Sequence, residues 1–357
     1  MPQPDPTEFQ SLLERVAIDE LGFSSVGVCP IDATAHAAQL STWINDGHHG
    51  HMHYMKEHLQ ARLDPNLVLA GARSAICVAD RYHDGRPDRI EMGAPPRGRV
   101  GRYARGDDYH RSMLGRLRVL EQRLRQECPG VEFRCCVDTA PVMERELAQR
   151  AGIGQFGKNT MLIEQGIGSW MLLGEILSTM EMPSTIAPEE DPCGSCTRCI
   201  DACPTDAITP YTIEATRCIS YLTIEHRGMI DPELHHLLGD WIFGCDICQE
   251  TCPHNQPTNR TSGKPLHPDY RQRNEGFDLL DVLGWSEQDR RDAFIRSALK
   301  RAKLDMFKRN AIICAGNAVI DRGDDIGLRR RLQELSRDPG QGELVRETAR
   351  QTLDRIG

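Results

Sequence analysis

Nowhere does the 357-residue sequence hold a run of about 18 apolar residues, which excludes a hydropathy-type membrane helix. Its first ten residues, MPQPDPTEFQ, lack the basic start and apolar stretch of a secretory signal, so a soluble cytoplasmic protein is expected. An overall excess of positive charge is also missing: the net charge of −9 argues against a generally nucleic-acid-binding surface. Two local runs depart from that total. Arg97–Arg125 holds nine Arg against three acids, and Arg296–Arg309 holds six Lys or Arg against one Asp. Such runs are ordinarily solvated helix faces, but they can also grip phosphates.

Cysteine, by contrast, is abundant: fourteen in all, in a chain whose thiols would stay reduced in the cytosol. Cys29, Cys77, Cys128, Cys135, Cys136 and Cys314 are scattered among apolar neighbours and read as small buried hydrophobes. The other eight fall between Cys193 and Cys252. Cys193-x2-Cys196-x2-Cys199-x3-Cys203-Pro204 reproduces the bacterial ferredoxin run, in which three cysteines hold one [4Fe–4S] cube and the fourth crosses to another. Cys218, then Cys245-x2-Cys248-x3-Cys252-Pro253, is an irregular second copy. Crossing the fourth ligands gives Cys193, Cys196, Cys199 and Cys252 to one cluster, and Cys203, Cys218, Cys245 and Cys248 to the other. Zinc sites usually pair two separated CxxC knuckles and do not call for this run.

The first 185 residues read as mixed α/β. Thr7 can cap a helix with Phe9, Leu12, Leu13, Val16 and Ala17 at helical spacing, ending before Gly22. Strands are expected at Ser24–Cys29, Ser74–Ala79, Val131–Val137 and Trp170–Thr179, and a long amphipathic helix over Asp107–Glu127. Residues 186–256 change to cysteines, prolines and short helical pieces. After a polar linker (PTNRTSGKPLHP), residues 257–357 read as helical, with Arg296–Lys303 and Phe307–Ile320 resembling a paired-helix solenoid unit. The class expected is therefore α+β multidomain, with domains at 1–185, 186–256 and 257–357.

Gly152-Ile-Gly154-Gln-Phe-Gly157 matches the dinucleotide fingerprint GxGxxG, but it follows a segment, Pro141–Ala151, that reads as a helix. Gly152 is expected to end that helix rather than to begin a phosphate loop. The histidine-rich stretch His48, His49, His51 and His53, with His58 nearby, has no acid or Cys at ligand spacing and fits a polar loop as well as a metal site. Asp138 closes an apolar strand and precedes a helix, where pockets of open α/β sheets form. A carboxyl group in an apolar pocket has a raised pKa and can serve as a general acid; a plain N-cap aspartate is the alternative.

Six stretches together resemble the epoxyqueuosine reductase family. They are Arg62-Leu-Asp64-Pro65, Arg102-Tyr103-Ala104-Arg105-Gly106-x-Asp108-Tyr109-His110, Val137-Asp138-Thr139-Ala140-Pro141, Gly157-Lys158-Asn159-Thr160, Cys218-Ile-Ser220-Tyr221-Leu-Thr-Ile-Glu225 and Gly244-Cys245-Asp246-Ile-Cys248-Gln249-Glu250-x-Cys252-Pro253. Arg309-Asn310 through Gly316-Asn317 resembles the family's HEAT-like repeat, so the C-terminal segment is expected to be a HEAT-like α-helical domain. His254 departs from the family, where Trp follows Cys-Pro. The resemblance implies a cobalamin-dependent reduction of epoxyqueuosine at the wobble position of tRNA to queuosine, the last step of queuosine biosynthesis. It implies Asp138 as proton donor and Arg62, Tyr103, Asp138, Lys158, Asn159, Ser220 and Glu225 around the cobalamin, although the Asp-x-His-x-x-Gly element of many B12 proteins is absent. Arg296, Lys300, Arg301, Lys303, Lys308 and Arg309 become candidates for the anticodon stem. A flavodoxin or ferredoxin system would be the electron donor, and a monomer is expected. Two rivals are weighed: a reductive dehalogenase-like enzyme acting on a small molecule, which has no use for a basic helical C-terminus, and a pure electron carrier, which has no use for the first 185 residues.

Overall fold

The computed structural model describes residues 6–83, 88, 95–185, 191–258, 261, 265–323 and 325–357. Its first layer is a four-stranded sheet in the order Ser25–Pro30, Ser74–Arg81, Met171–Ser178, Phe133–Cys136. The four expected strands are all present, within two or three residues at their ends. Every pairing is antiparallel, so the rule that pockets form at the carboxyl ends of open α/β sheets, used above to place Asp138, does not apply to this sheet. The two central strands are buried at all eight positions each. Strands covered on both faces look alike in sequence whether parallel or antiparallel, so their direction had no local signature.

Both faces are covered by helices. The long helix Tyr109–Glu127 lays Met113, Leu117, Leu120 and Leu124 on one face, at steps of four, three and four. Gly174 lets it approach closely: a Cβ there would stand 2.7 Å from Met113 Sδ. The N-terminal helix Pro6–Glu14 adds Phe9 and Leu13 to the same core. The other face takes the short helix Glu144–Arg150 with Leu147 and Ala148. Gly152, at φ 77°, ends that helix, and Ile153 N–H returns to Ala148 O at 3.0 Å, the bonding of a glycine C-cap. GxGxxG here is thus a helix stop.

A second sheet of three short strands centres on Arg97–Val100, parallel to Trp241–Phe243 and antiparallel to Gly276–Asp278. It draws one strand from each of the three segments separated in sequence. One apolar core runs from Val100 and Phe243 through Leu279 and Phe294 to Phe307 and Leu332.

The basic stretch Arg296–Lys303 is not the expected helix. Arg296 has φ 56°, which breaks helical geometry, and a 3-10 turn follows at Ala298–Arg301 with the Ser297 side chain accepting from Leu299 N–H. The helix begins at Leu304 and runs to Arg322. It is buried on nearly every side and packed by Ile326–Arg337 and Glu343–Ile356. No described helix is long and apolar enough to cross a membrane.

Candidate redox centre and substrate site

The cysteine-rich segment folds into short pieces whose thiols gather in two groups. Burial, then the neighbouring Cys193, Cys252 and Cys196, push the Cys199 thiol up; burial, then Cys193 and Cys196, do the same to Cys252. In the other group, burial and Cys203 raise Cys218, while burial, Cys248 and Cys218 raise Cys245. Burial and Cys218, with smaller contributions from Cys199 and Cys203, raise Cys248, so the groups adjoin at Cys199 and Cys248. Most of these mutual influences fall within the expected sets, and the influence of Cys199 on Cys248 crosses between them. Backbone N–H groups are already aimed at sulfur: Lys158 N at 3.3 Å from Cys193 Sγ, and Ala207 N at 3.4 Å from Cys203 Sγ. Among the described residues, no three His, Cys, Asp or Glu side chains are close enough to hold a single metal ion. His254, where the resemblance leads one to expect Trp, places its Nε2 2.8 Å from Pro192 O.

Beyond the strand Phe133–Cys136, the chain turns sharply at Asp138, whose φ of 42° is unfavourable for any residue with a Cβ. Its Oδ2 lies 3.0 Å from His110 Nε2, and His110 Nδ1 lies 2.7 Å from Asp108 Oδ1. The local sequence explains the placement. Asp108 caps the helix Tyr109–Glu127 by accepting from His110 N–H at 3.2 Å, so the first helical turn carries His110 towards Asp138. One imidazole is therefore bracketed by two carboxylates.

That arrangement decides where the proton rests. Burial alone would raise the Asp138 carboxyl, but the hydrogen bond and charge of His110, the Tyr109 hydroxyl and Arg301 hold it below its ordinary value. Burial alone would lower His110, but Asp108 and Asp138 push it up to about 9. The expected apolar pocket with a raised aspartate is overturned: the Asp138 side chain is 48% exposed, and at neutral pH the proton sits on His110. The raised carboxyls lie behind it. Burial and then the charge of Asp138 push Glu144 up to about 7. Glu175, fully buried opposite Cys77 and Cys136, has no hydrogen-bond partner on either oxygen among the described residues and is held well above its ordinary value by burial.

The wall of the site is aromatic and charged. Arg301 pairs with Glu225 and lies 5.8 Å from the Tyr54 ring centre. Burial and then Asp138 push the Tyr103 hydroxyl up; burial and then Glu225 do so at Tyr54. Arg62 reaches Val142 O at 3.2 Å, is felt by Tyr54, Glu144 and Asp138, and keeps a buried Nε with no partner among the described residues.

With this geometry in hand, known proteins can be compared. The family model described as Epoxyqueuosine reductase QueG, DUF1730, matches residues 62–139, and that of a 4Fe-4S double cluster binding domain matches residues 192–255. The epoxyqueuosine reductase of Pseudomonas aeruginosa is 37% identical over 317 residues, which is 88% of this chain and 87% of that one. The chain belongs to the epoxyqueuosine reductase family. Among solved structures, an epoxyqueuosine reductase crystallised with a tRNA-Tyr epoxyqueuosine-modified stem loop superposes at a TM-score of 0.86, with 27% identity, covering 99% of this chain and 91% of that one. Epoxyqueuosine reductase from Bacillus subtilis, solved with its catalytic aspartate loop swung out of the active site, superposes at 0.82 with 26% identity, covering 99% and 91%.

Within this epoxyqueuosine reductase fold, not every residue singled out in sequence reaches the site. Arg62, Tyr103, Asp138 and Glu225 come together. Ser220 sits in the first turn after Cys218, with its N–H directed at that thiol. Lys158 instead holds the cysteine loop, its Nζ donating to Gly194 O at 2.6 Å and Cys196 O at 3.1 Å, and buried Asn159 donates to Cys248 O at 3.5 Å. Both therefore act on the cluster loops.

Of the six expected tRNA-binding cations, two are excluded by burial. Arg309 has no exposed surface and spends its guanidinium on the carbonyls of Leu222, His226 and Gly228; Lys308 is buried against Gln341. Arg301 and Arg296 are paired, with Glu225 and Asp107. Lys300 and Lys303 are exposed and carry no ion pair among the described residues. The Arg97–Arg125 run is absorbed by the fold only in part: Arg102 and Arg105 are buried on Asp88, with Asp246 and Glu250 also holding Arg102, whereas Arg97, Arg111, Arg118, Arg123 and Arg125 are exposed.

Sequence reasoning missed His110, Asp108, Tyr54 and Glu144 as site residues. The signal available for two of them was the Asp108-Tyr109-His110 stretch itself, and nothing local ties Tyr54 or Glu144 to Asp138.

Proposed function

We propose that this chain reduces the epoxide of epoxyqueuosine at the wobble position of tRNA to the alkene of queuosine, using cobalamin reduced through two [4Fe–4S] clusters. The observation that carries the reading is Asp138, held at a strained turn, open on one side and hydrogen-bonded to a protonated His110, beside two adjoining sets of four thiols. Cys193, Cys196, Cys199 and Cys252 would ligate one cluster, and Cys203, Cys218, Cys245 and Cys248 the other. The second set is nearer the substrate. Cys218 leads directly into the helix Ile219–Ile224 that ends at Glu225, and Gly244, just before Cys245, packs on Gly101 beside Tyr103. Electrons from a flavodoxin- or ferredoxin-type donor would enter at the first set and leave from the second.

Arg62, Tyr103, Ser220 and Glu225, joined by Tyr54, would line the cobalamin. The unpartnered buried Nε of Arg62 suits a ligand rich in amide oxygens. When bound, the cobalamin supplies a cobalt centre able to deliver electrons to an epoxide carbon.

Turning an epoxide into an alkene consumes two electrons and two protons and releases water. An alkoxide is a poor leaving group, so the oxygen must be protonated as the C–O bond opens. Asp138 is the group that touches that oxygen. Ionised at rest, it takes its first proton from His110 along the 3.0 Å contact, Asp108 stabilising the imidazolium until then, and the second, which leaves with the oxygen as water, reaches the pair from solvent on the exposed side of Asp138. Lys300 and Lys303 would meet the phosphates of the anticodon stem, with Arg296 at their edge. The C-terminal helices would form the HEAT-like unit that carries this surface.

Anaerobic incubation of reduced, cobalamin-loaded protein with an epoxyqueuosine-containing stem loop, followed by nucleoside mass analysis, tests the reading. Queuosine, lighter by one oxygen, is expected; an unchanged nucleoside would overturn it.

A further inference from the structure

The stretch Gly157-Lys158-Asn159-Thr160 forms the tip of a hairpin between the short strands Gln155–Phe156 and Leu162–Ile163. Gly157 N–H donates to Met161 O at 2.8 Å and Thr160 N–H to Gly157 O at 2.9 Å, which closes the turn. Thr160 takes φ 65°, a conformation that a residue with a Cβ keeps only where its surroundings impose it. The tip reaches onto the cysteine-rich segment and touches both sets of thiols. Lys158 N–H donates to Cys193 Sγ at 3.3 Å, and its Nζ donates to Gly194 O at 2.6 Å and Cys196 O at 3.1 Å. Asn159 meets the other set at Cys248 O, 3.5 Å away.

The Cys193–Cys196 loop is clasped from a second direction as well. Tyr211, at φ 63°, donates its N–H to Lys158 O at 3.1 Å, and its hydroxyl reaches Asp191 Oδ1 at 3.1 Å. Asp191 in turn accepts from Cys193 N–H at 2.9 Å and Gly194 N–H at 3.1 Å. Both groups that the Lys158 ammonium touches are neutral carbonyls, and it has no ion pair among the described residues. Its positive charge is therefore not neutralised by contact.

The second set has the opposite surroundings. Asp246 lies between Cys245 and Cys248 in sequence, with a side chain only 3% exposed. Burial first, then the neighbouring thiols and Asp246, push the Cys245 and Cys248 thiols up. Arg102 and Arg105 face three carboxylates there, Asp88, Asp246 and Glu250, which leaves the group net negative. Arg99, 3.9 Å from Glu250, does not change that balance, because it is paired with Asp240 at 2.7 Å.

One-electron reduction of a cube held by four thiolates adds one negative charge and no proton. Cations and hydrogen bonds to sulfur favour that state, and nearby carboxylates oppose it. We propose that Lys158 is a positioning residue for the first cluster, fixing the Cys193–Cys196 loop and stabilising the reduced cube, so that the first cluster takes up electrons at a higher potential than the second. The first cluster is then the store that fills first. The second, beside Asp246, is the stronger reductant and faces the substrate site. The inference rests on the two-cluster reading above and extends it to the order in which the clusters fill.

The test is an anaerobic redox titration of the cluster-loaded protein at fixed pH, followed by electron paramagnetic resonance. Cys203→Ser, which leaves only the first set complete, identifies the signal of that cluster. In the wild type this signal should appear first as the potential is lowered. Lys158→Gln keeps an amide donor but no charge. It should lower the ratio of reduced to oxidised first cluster about tenfold at a given potential, a shift of about 59 mV for one electron. Iron content and the second cluster should not change, and Lys158→Arg should stay near the wild type.

A second cluster that fills first, a first-cluster midpoint unmoved in Lys158→Gln, or equal shifts in the Gln and Arg variants would each overturn the proposal. The wild-type order needs no variant at Lys158 and stands even if one fails to fold. Thiols that hold zinc in place of both cubes sink the two-cluster reading together with this proposal. Two reducible cubes that fill in the reverse order sink the proposal alone.

Discussion

Asp108→Asn isolates the proton relay, because Asn still caps the helix while one of the two charges on His110 disappears. With both carboxylates in place, His110 titrates at about 9. At pH 7.5 such a group is about 97% protonated, against about 9% at the ordinary histidine value of about 6.5. An opposite charge within hydrogen-bond reach shifts a pKa by about 1–3 units, and partial exposure of both side chains favours the lower end. The variant should therefore bring His110 down by about 1–2 units. The assay is single-turnover formation of queuosine by chemically reduced enzyme across pH 6–10, which removes the electron donor from the rate. Wild-type activity should fall on the alkaline side near pH 9, and the Asp108→Asn limb should lie about 1–2 units lower with its acidic plateau retained. An alkaline limb that does not move in the variant would refute the relay. Stability follows the same sign: the folded-state value of His110 lies above its unfolded value, so its contribution is complete below about pH 6.5 and is lost as pH rises through about 9.

Arg309→Leu should lower the unfolding free energy by about 3–5 kcal/mol in anaerobic urea denaturation, because three buried carbonyls lose a charged donor. Stem-loop affinity of the folded protein should stay unchanged; a selective loss of affinity would restore Arg309 to the RNA surface. Replacing Lys300 and Lys303 by Gln should weaken RNA binding and flatten the salt dependence by about one unit per lysine. A slope equal to the wild type would leave them as solvated side chains. Cys203→Ser should halve the iron content of anaerobically purified protein and slow reduction of bound cobalamin, whereas full iron content would contradict the crossed ligand sets.

The elements that depend on near neighbours were determined by the sequence itself. Met113, Leu117, Leu120 and Leu124 recur at helical spacing wherever the helix is placed, and the CxxCxxCxxxCP run can wrap a cube whatever surrounds it. What only the tertiary structure decided are quantities that belong to pairs distant in the chain. The antiparallel direction of the sheet, the second sheet joining strands from three segments, and the burial of Arg309 against carbonyls more than 80 residues away have no local signature. The location of the proton shared by Asp138 and His110 is of the same kind. Asp138 and His110 are 28 residues apart, and a carboxyl's ionisation is set by the charges and solvent around it in space.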